Sequence, residues 1–381
     1  MRVLHINCNY LGTTLHQNMV RELNSIGIEN EVFVPISDEY SQFAIAPDSC
    51  TTIRRCFKKK DRIFFYLKQK KILQSIEESY DIRRFDLIHA YTVFTDGNIA
   101  RLLSKKYGIP FVVAVRNTDV NAFFKYRFYL RMLGIKILES SNRVFFLSKP
   151  YLNKILQEYT PNKKRDLISK KARLIPNGID EYWLNHKYYD RDYSLILNNI
   201  KKRRISLIYA GRIDKNKNLV SVDEAIAILK KDGWDVSYVV VGKIEDEGIY
   251  TRLKNRDYFT YFEPVSKEKL IDHYRNADIF VMPSKTETFG LVYAEAMTQG
   301  LPVIYSKGQG FDGQFKDGEV GFSVDSSNPK EIAEKILLVC SNYYDMSIKC
   351  LDCVDHFSWE KIIKEYQSIY SELLERMHNE D

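Results

Sequence analysis

The 381-residue sequence lacks any apolar run of the roughly 20 residues that a membrane-spanning helix needs. Its first residues read as a buried strand and lack the apolar core and cleavage site of a signal peptide. Six cysteines are present, but they show no framework spacing, and Cys350-x-x-Cys353 has no second ligand pair for zinc. We therefore expect a cytoplasmic protein with free thiols.

The chain also lacks visible internal repeats and low-complexity tracts, although its two halves could share an architecture. Its hydrophobic content of 45% and charged content of 28% are typical of a soluble globular protein. The length is too great for one ordinary core. It predicts two domains of about 150–200 residues each.

Charge is unevenly distributed along the chain. Residues 1–180 contain 30 Lys and Arg against 17 Asp and Glu, a net charge of +13, whereas residues 181–381 have a net charge of −6. This asymmetry indicates an acidic partner for the first half. No nucleic-acid-binding motif accompanies the basic residues, so we do not expect nucleic acid as that partner.

The stretch FKKKDRIFFYLKQKK, residues 57–71, interleaves seven cations with aromatic and aliphatic side chains. Such a pattern suits peripheral contact with an anionic membrane surface, to which each nearby cation contributes about 1 kcal/mol. It equally describes a solvated helix whose aromatic face packs on its own domain. The sequence leaves both interpretations open.

Short apolar strands alternate with helical segments through both halves. Strands are expected at RVLHIN, EVFVP, FDLIHAY, PFVVAV and RVFFLS, and then at ISLIYAGR, VSYVVVGK and DIFVMPS. Helical patterns occupy segments that include 97–107, 121–140, 219–231, 266–276 and 289–299. The alternation predicts the α/β class, with two doubly wound, Rossmann-like domains built on parallel sheets.

Composition suggests the domain boundaries. Residues 186–204 are polar and end in the basic run KKRR, so we interpret them as a linker between domains over 1–185 and 205–357. Apolar residues recur at helical spacing within residues 358–381. We expect this last helix to return to the N-terminal domain and cover part of it.

The segment PSKTETFGLVYAEAMTQGLPV, residues 283–303, places two carboxylates around the start of a predicted helix. Glu287 lies in the loop before this helix, and Glu295 lies one to two turns inside it. The free backbone N–H groups and positive dipole end at a helix start suit an anionic ligand. The pattern favours phosphate at the helix start and sugar hydroxyls beside it.

A second charged loop, in AGRIDKNKNL at residues 210–219, presents Arg212 and Lys217 after a buried strand. Ligands of open α/β sheets bind at the carboxyl ends of strands. Arg can grip phosphate with two hydrogen bonds, and Lys supplies a compact charge. Taken alone, the segment is more typical of a solvated basic turn.

In chain order, these segments resemble the family-4 retaining glycosyltransferases, which have the GT-B architecture of two domains facing a cleft. The resemblance spans nearly the whole chain and is strongest over residues 205–324. It rests on AGRIDKNKNL (210–219), VVVGK (239–243), the run ADIFVMPSKTETFGLVYAEAMTQGLPVI (277–304), GEVGFSV (318–324), HAY (89–91), RNTDVN (116–121), LSK (147–149), PNGID (176–180) and the final FSWEKIIKEY.

The resemblance implies roles for the matching residues. Arg212 and Lys217 would hold the donor diphosphate as it departs, and Glu287 would bind hydroxyls of the donor sugar; these three are the expected catalytic residues. Glu295 would bind the ribose. The remaining expected donor-binding residues are Gly12 and Thr13 from the N-terminal domain, together with Gly211, Phe289, Gly290 and Leu291.

The acceptor side departs from the family pattern. Where many relatives have His-Gly-Ser-Asp, this chain has Arg116-Asn117-Thr118-Asp119, and a guanidinium cannot act as a base. Arg116 could still bind an acceptor phosphate, with Asp119 beside it. His89 is either an acceptor-side residue or a structural one. The loop GQGFD at 308–312 also differs from relatives, which usually have a Gly-Gly pair followed by a small residue and a Glu.

The implied activity is transfer of a sugar from a UDP- or GDP-sugar to a hydroxyl of a glycan or lipid-linked acceptor, in cell-surface polysaccharide synthesis. No cofactor or metal is expected, since Arg212 and Lys217 supply the positive charge. Two alternatives remain open. One is a sugar-nucleotide epimerase of the same architecture; the other is a non-catalytic nucleotide- or glycan-binding subunit.

Overall fold

The computed structural model describes residues 1–40 and 43–378, which form two compact units. Unit 1 comprises Met1–Leu147, Tyr151–Gly178 and the C-terminal segment from Trp359. Unit 2 comprises Ser148–Pro150 and Ile179–Ser358. Each unit has a parallel sheet of its own.

Strands and helices alternate through the first part of the chain. The elements are β1 (Arg2–Ile6), α1 (Thr14–Ser25), β2 (Glu29–Ser37), β3 (Thr51–Phe57), α2 (Phe65–Ser79), β4 (Leu87–Ala90), α3 (Asn98–Tyr107), β5 (Phe111–Val115), α4 (Arg131–Ser140), β6 (Arg143–Phe146), α5 (Lys149–Lys154), α6 (Asn162–Lys171) and β7 (Ala172–Leu174). The strands form a seven-stranded parallel sheet in the order β3-β2-β1-β4-β5-β6-β7.

The alternation continues in unit 2. Its elements are α7 (Glu181–Asn185), α8 (Tyr193–Lys201), β8 (Arg204–Ala210), α9 (Leu219–Lys231), β9 (Asp235–Val241), α10 (Glu247–Lys254), β10 (Phe259–Phe262), α11 (Lys267–Arg275), β11 (Ile279–Met282), α12 (Leu291–Thr298), β12 (Val303–Ser306), β13 (Gly321–Val324), α13 (Pro329–Ser341) and α14 (Tyr343–Cys353). The sheet is parallel, in the order β10-β9-β8-β11-β12-β13. The last helix, α15 (Trp359–His378), belongs to unit 1.

Both sheets reverse their winding once, which makes each unit doubly wound. In unit 1 the chain runs outward from β1 to β3 and then returns to place β4 beside β1; in unit 2 it returns to place β11 beside β8. The predicted α/β class is confirmed. Such a switch point opens a crevice at the carboxyl ends of the two central strands, where ligands of these folds bind.

Helix α15 packs on unit 1 along an apolar stripe, as predicted. Buried stripe residues such as Ile362, Tyr366 and Tyr370 form one cluster with Met19 and Leu23 of α1. Trp359, at the start of α15, lies over Gly178, where an added Cβ atom would meet the indole ring at 2.4 Å. The glycine of the PNGID segment is therefore required for this contact.

The structure differs from the sequence expectations at several boundaries. The segment 186–204, interpreted as a linker, contains α8 and lies within unit 2, whose main segment is Ile179–Ser358. The single helix expected over 121–140 is instead a set of short irregular turns followed by α4. Among the described residues, no helix is long and apolar enough to cross a membrane.

Candidate active site

The loop that follows β8 begins where two glycines touch. Gly211 and Gly242, at the ends of β8 and β9, have φ angles of 147° and 151°. A Cβ atom on Gly242 would lie 1.8 Å from the Gly211 carbonyl oxygen, so only glycine fits there. Gly211, predicted to bind the donor, thus forms part of a tight backbone crossing directly before Arg212.

Asn216 joins the loop after β8 to the loop after β11. Its side-chain oxygen accepts hydrogen bonds from the Thr286 backbone nitrogen at 3.0 Å and the Thr286 hydroxyl at 2.7 Å. Its side-chain nitrogen donates to the Thr286 carbonyl oxygen at 2.8 Å, and its own carbonyl accepts from the Lys285 nitrogen at 2.8 Å. The switch-point loops are therefore fixed to each other.

This connection places Lys217 against Glu287. The Lys217 Nζ lies 2.7 Å from Glu287 Oε2, and the two side chains are only 16% and 14% exposed. Glu287 Oε1 accepts a hydrogen bond from the backbone nitrogen of Thr288 at 2.9 Å. Two of the three predicted catalytic residues are thus brought together as a mostly buried ion pair.

Arg212, the third of them, has a different environment. Its side chain is 61% exposed, and its guanidinium lies 3.3 Å from Glu245 and 3.8 Å from Asp214. Exposed ion pairs of this kind contribute about 0–1 kcal/mol. Arg212 can therefore change partner at little cost when a stronger anion arrives.

The loop at 308–312 holds Glu287 from the other side. The Glu287 backbone nitrogen donates to Gln309 Oε1 at 3.0 Å, and the Gly310 nitrogen donates to the Glu287 carbonyl oxygen at 2.9 Å. A Cβ atom on Gly310 would lie 1.9 Å from the Thr288 carbonyl oxygen. The loop GQGFD, which departs from the family pattern, therefore contacts Glu287 of the candidate site through its backbone and through the Gln309 side chain.

Helix α12 begins at the site through a left-handed glycine. Gly290, with φ 78°, is the N-cap of α12, and a Cβ atom there would lie 2.4 Å from the Tyr293 ring. Phe289 is buried and packs on Phe357 with ring centroids 5.5 Å apart. Leu291 is the first helical residue. The backbone N–H groups of a first helical turn have no intrahelical partner, so this end suits an anion.

Glu295 lies on the second turn of α12. Its side chain is partly buried, and burial, together with the nearby charge of Asp180, raises its pKa to about 7. Near neutral pH both forms of this carboxyl are therefore populated. The group can accept hydrogen bonds from hydroxyl groups and, when protonated, can also donate one.

In unit 1, Gly12 and Thr13 lie between β1 and α1. Gly12 ends a short 3-10 turn and is exposed, and a Cβ atom added to it would have no other atom within 4 Å. Thr13 is the N-cap of α1, and its hydroxyl oxygen accepts a hydrogen bond from the Leu15 nitrogen at 3.3 Å. Both follow the carboxyl end of β1, at the switch point of this sheet.

For His89, the sequence left an acceptor-side and a structural role open, and the structure favours the structural one. Its ring is fully buried on β4, stacked on Tyr91 at a centroid distance of 4.5 Å, and its Nδ1 lies 2.6 Å from the Tyr370 hydroxyl of α15. Burial holds the pKa of His89 well below its ordinary value of 6.5. A neutral ring covered by α15 is a structural histidine of the core.

Asp119 also turns inward, contrary to its predicted acceptor-side position. It is buried and accepts hydrogen bonds from the backbone nitrogens of Arg116 at 2.9 Å, Val93 at 3.0 Å and Phe94 at 3.3 Å. Burial outweighs these bonds and raises its pKa to about 6. Asp119 therefore shapes the loops after β4 and β5, while Arg116 directs its guanidinium to Asn177 at 3.2 Å.

Two doubly wound parallel sheets, the second with charged loops at its switch point, are the architecture of a protein with the GT-B fold. The model of the glycosyl transferases group 1 matches residues 196–350, and that of glycosyltransferase family 4 matches residues 13–182. The chain belongs to the family-4, group 1 glycosyltransferases, and it is an enzyme that transfers sugar residues.

Individual relatives agree with this assignment. An uncharacterized glycosyltransferase of Methanocaldococcus jannaschii is 24% identical over 375 residues, or 95% of each chain. The sucrose-phosphate synthase of Thermosynechococcus elongatus superposes with a TM-score of 0.74 at 18% identity, over 99% of this chain and 100% of that one. Anabaena HepE in complex with UDP-glucose gives a TM-score of 0.65 at 15% identity, over 98% and 99%. These structures show the shared fold.

Proposed function

We propose that this enzyme transfers a sugar from a UDP- or GDP-sugar to an acceptor hydroxyl, with retention of anomeric configuration. The observation that carries the donor assignment is the Lys217–Glu287 pair, 2.7 Å apart at the switch point of the second sheet. A cation for phosphate and a carboxylate for sugar hydroxyls are the two groups that such a donor requires. The structural neighbour that holds UDP-glucose supports the same donor class.

Departure of the nucleotide builds negative charge on the diphosphate and positive charge on the sugar ring. In this proposal Arg212, Lys217 and the first turn of α12 stabilise the diphosphate. Fixed donors aimed at developing charge are usually the largest contribution to catalysis. Because these cations belong to the chain, the proposed reaction requires no metal or other cofactor.

In this proposal the Lys217–Glu287 ion pair exchanges partners when the donor binds. Before the donor binds, Glu287 offsets the charge of Lys217 within a mostly buried environment. A diphosphate carries more charge than one carboxylate, so it competes for Lys217 and frees Glu287 for the sugar hydroxyls. Glu295, on the next part of the same helix, is placed to bind the ribose hydroxyls.

No separate protein base is needed in this mechanism. The departing phosphate, on the same face of the sugar as the acceptor, takes the proton of the acceptor hydroxyl, which accounts for retention. His89 is buried and neutral, and Asp119 is engaged by three backbone nitrogens. Neither side chain is available to serve as that base.

We further propose that the acceptor is a glycan or lipid-linked intermediate of cell-surface polysaccharide synthesis, reached from the inner face of the membrane. Residues 57–71 support this, because Ile63, Phe64, Tyr66 and Leu67 are exposed among the seven cations. A second exposed segment comprises Tyr126, Phe128, Tyr129 and Met132. Phe65 and Phe123, with ring centroids 6.4 Å apart, bring the two segments together.

The proposal is tested by mixing the purified chain with a panel of nucleotide sugars and measuring both thermal unfolding and product. We expect one UDP- or GDP-sugar to raise the melting temperature and to be consumed only when an acceptor extract is added. Conversion of the donor without acceptor would instead indicate an epimerase. Binding without any turnover would indicate a nucleotide-binding subunit, and absence of protection by every donor would contradict the donor assignment.

A further inference from the structure

A cavity of about 520 Å³ opens in unit 2 between α8 and the amino ends of β8 and β9. Its volume lies within the range of about 300–1,000 Å³ that is typical of small-molecule sites. The loop with Arg212 and Lys217 follows the opposite end of β8, a seven-residue strand that is about 20 Å long. The cavity is therefore separate from the candidate active site.

The floor of the cavity is a polar patch on two interior strands of the sheet. Ser206 of β8 pairs with Ser237 of β9, and two residues earlier, on the same face, Arg204 pairs with Asp235. Interior strands of parallel sheets are ordinarily covered on both faces and are nearly continuous apolar runs. Polar side chains at alternate positions of both strands therefore indicate that no helix packs closely on this part of the sheet.

Helix α8 forms the opposite wall without packing tightly. None of its residues is buried, although it carries four apolar side chains, Leu195, Ile196, Leu197 and Ile200. Asn199 of the same helix and the ring of Tyr188 also line the cavity. The Arg275 guanidinium lies 4.7 Å from the centre of the Tyr188 ring and covers one of its faces. The gap between α8 and the sheet thus has one aromatic wall and a polar floor.

The charges around the cavity balance one another. Its lining contains three arginines and three aspartates. Arg204 and Asp235 form an ion pair at 3.3 Å. Arg191 is buried, donates a hydrogen bond to the Gln299 carbonyl oxygen at 2.8 Å, and lies close enough to Asp278 to lower its pKa. The cavity therefore offers no excess charge of either sign to a ligand.

The groups that remain available are hydrogen-bonding groups. In the described part of the chain, the side chains of Ser206, Ser237 and Asn199 make no hydrogen bond. The Asp278 carboxyl accepts one, from the Ser206 backbone nitrogen at 2.8 Å, through only one of its oxygens. Hydroxyl and amide groups both donate and accept, and a carboxylate accepts. A neutral ligand rich in hydroxyl groups matches this set, and the Tyr188 ring supplies apolar surface for its C–H groups.

We propose that this cavity binds a neutral sugar residue, as a second carbohydrate site on unit 2. The sugar's hydroxyls would bond to Ser206, Ser237 and Asn199. The inference goes beyond the proposed function, because the sugar bound here is not the one transferred. A sugar unit held about one strand length from the donor loops would keep a longer glycan attached to the enzyme between transfer steps.

The test measures saturation transfer by nuclear magnetic resonance from the full chain to the methyl glycosides of glucose, galactose, mannose and N-acetylglucosamine, with no nucleotide present. Asn199→Leu and Ser237→Val each remove a polar group from the cavity. Asn198→Leu makes the matched change at an exposed neighbouring position of α8 outside the cavity. We expect at least one glycoside to bind wild type and Asn198→Leu equally. Both cavity variants should bind it about tenfold more weakly, since a hydrogen bond to the ligand is lost.

Two results would overturn the proposal. If wild type bound none of the glycosides, the ligand class would be wrong. If wild type and all three variants bound a glycoside equally, the sugar would occupy another site. Thermal unfolding checks that each variant is folded, and either cavity variant alone suffices for the comparison. These readouts need neither donor nor turnover, so failure of the proposed transferase reaction would be seen separately.

Discussion

Asn216 and Thr286 are 70 residues apart in the chain, yet they share three hydrogen bonds of 2.7–3.0 Å. The first belongs to the loop after β8 and the second to the loop after β11. Because Lys217 and Glu287 are the next residues of these same loops, the Asn216–Thr286 contact fixes the distance between them. Asn216 therefore acts as a positioning residue for the donor site.

We predict that Asn216→Ala lowers kcat/KM for transfer by about ten- to a hundredfold, as expected for loss of about 1.5–3 kcal/mol of buried hydrogen bonding. Steady-state kinetics with the identified donor measures this effect. Asn255→Ala, at an exposed position after α10, is the control. Equal kinetics of the two variants would show that the loops keep their geometry without Asn216.

A double-mutant cycle tests whether Lys217 and Glu287 act together. We predict that Lys217→Met and Glu287→Gln each reduce kcat/KM by about a hundredfold or more, because each contacts the donor where charge develops. The double variant should lose less than the sum, with a coupling free energy of about 1 kcal/mol or more. Exact additivity would mean that the two side chains act independently. Glu263→Gln, an exposed substitution, serves as the reference.

The sequence predicted the fold well, because the fold depends on local patterns; the assignment of the two charged loops to a donor stays a prediction. Buried strands such as VSYVVVGK are continuous apolar runs, and their alternation with helices specifies parallel sheets. Strand β3, with the sequence TTIRRCF, was missed because an edge strand exposes polar side chains. Its pairing with β2 depends on a neighbour that no local pattern reveals.

Partners distant in sequence account for what the sequence left open or missed. The burial of His89 depends on Tyr370, which arrives from a helix 281 residues later. Gln309 was not predicted either, because its bond to the Glu287 nitrogen is visible only once both loops are in place. The nearest signal was the departure of GQGFD from the family pattern. This departure identified the loop but not the hydrogen bond between Gln309 and Glu287.

Glu295 predicts a specific dependence of stability on pH. Burial raises its pKa from 4.5 to about 7, so the folded state binds the proton more tightly than the unfolded state. The free energy of unfolding should therefore fall as pH rises from about 4.5 to about 7, and then level off.

Glu295→Gln should remove about 2 kcal/mol of that decline, allowing for partial exposure. Urea unfolding of wild type and variant across this range measures the difference. Glu263→Gln should leave the decline unchanged. If the free energy of unfolding of wild type instead rose over this pH range, and Glu295→Gln abolished that rise, folding would lower the pKa of Glu295 and not raise it.

The exposed apolar segments of unit 1 predict binding to anionic membranes. Phe64→Ser and Phe128→Ser remove side chains that are 62% and 73% exposed, so they should leave stability nearly unchanged. Each should weaken co-sedimentation with phosphatidylglycerol vesicles several-fold, since burial of an aromatic ring in the interface is lost. Leu195→Ser, an exposed substitution in unit 2, is the matched control. Binding that does not depend on anionic lipid would rule out this surface as the docking site.

The hydrogen bond between His89 and Tyr370 offers a test of whether this histidine has a structural or a catalytic role. Tyr370→Phe removes the 2.6 Å hydrogen bond and leaves a buried ring nitrogen unsatisfied, while the ring itself still packs on α1. We expect the free energy of unfolding to fall by about 1–3 kcal/mol, with KM for donor and acceptor unchanged. Tyr344→Phe, at an exposed position of α14, should alter neither quantity. If Tyr370→Phe instead kept full stability and lost transfer activity, His89 would belong to the reaction after all.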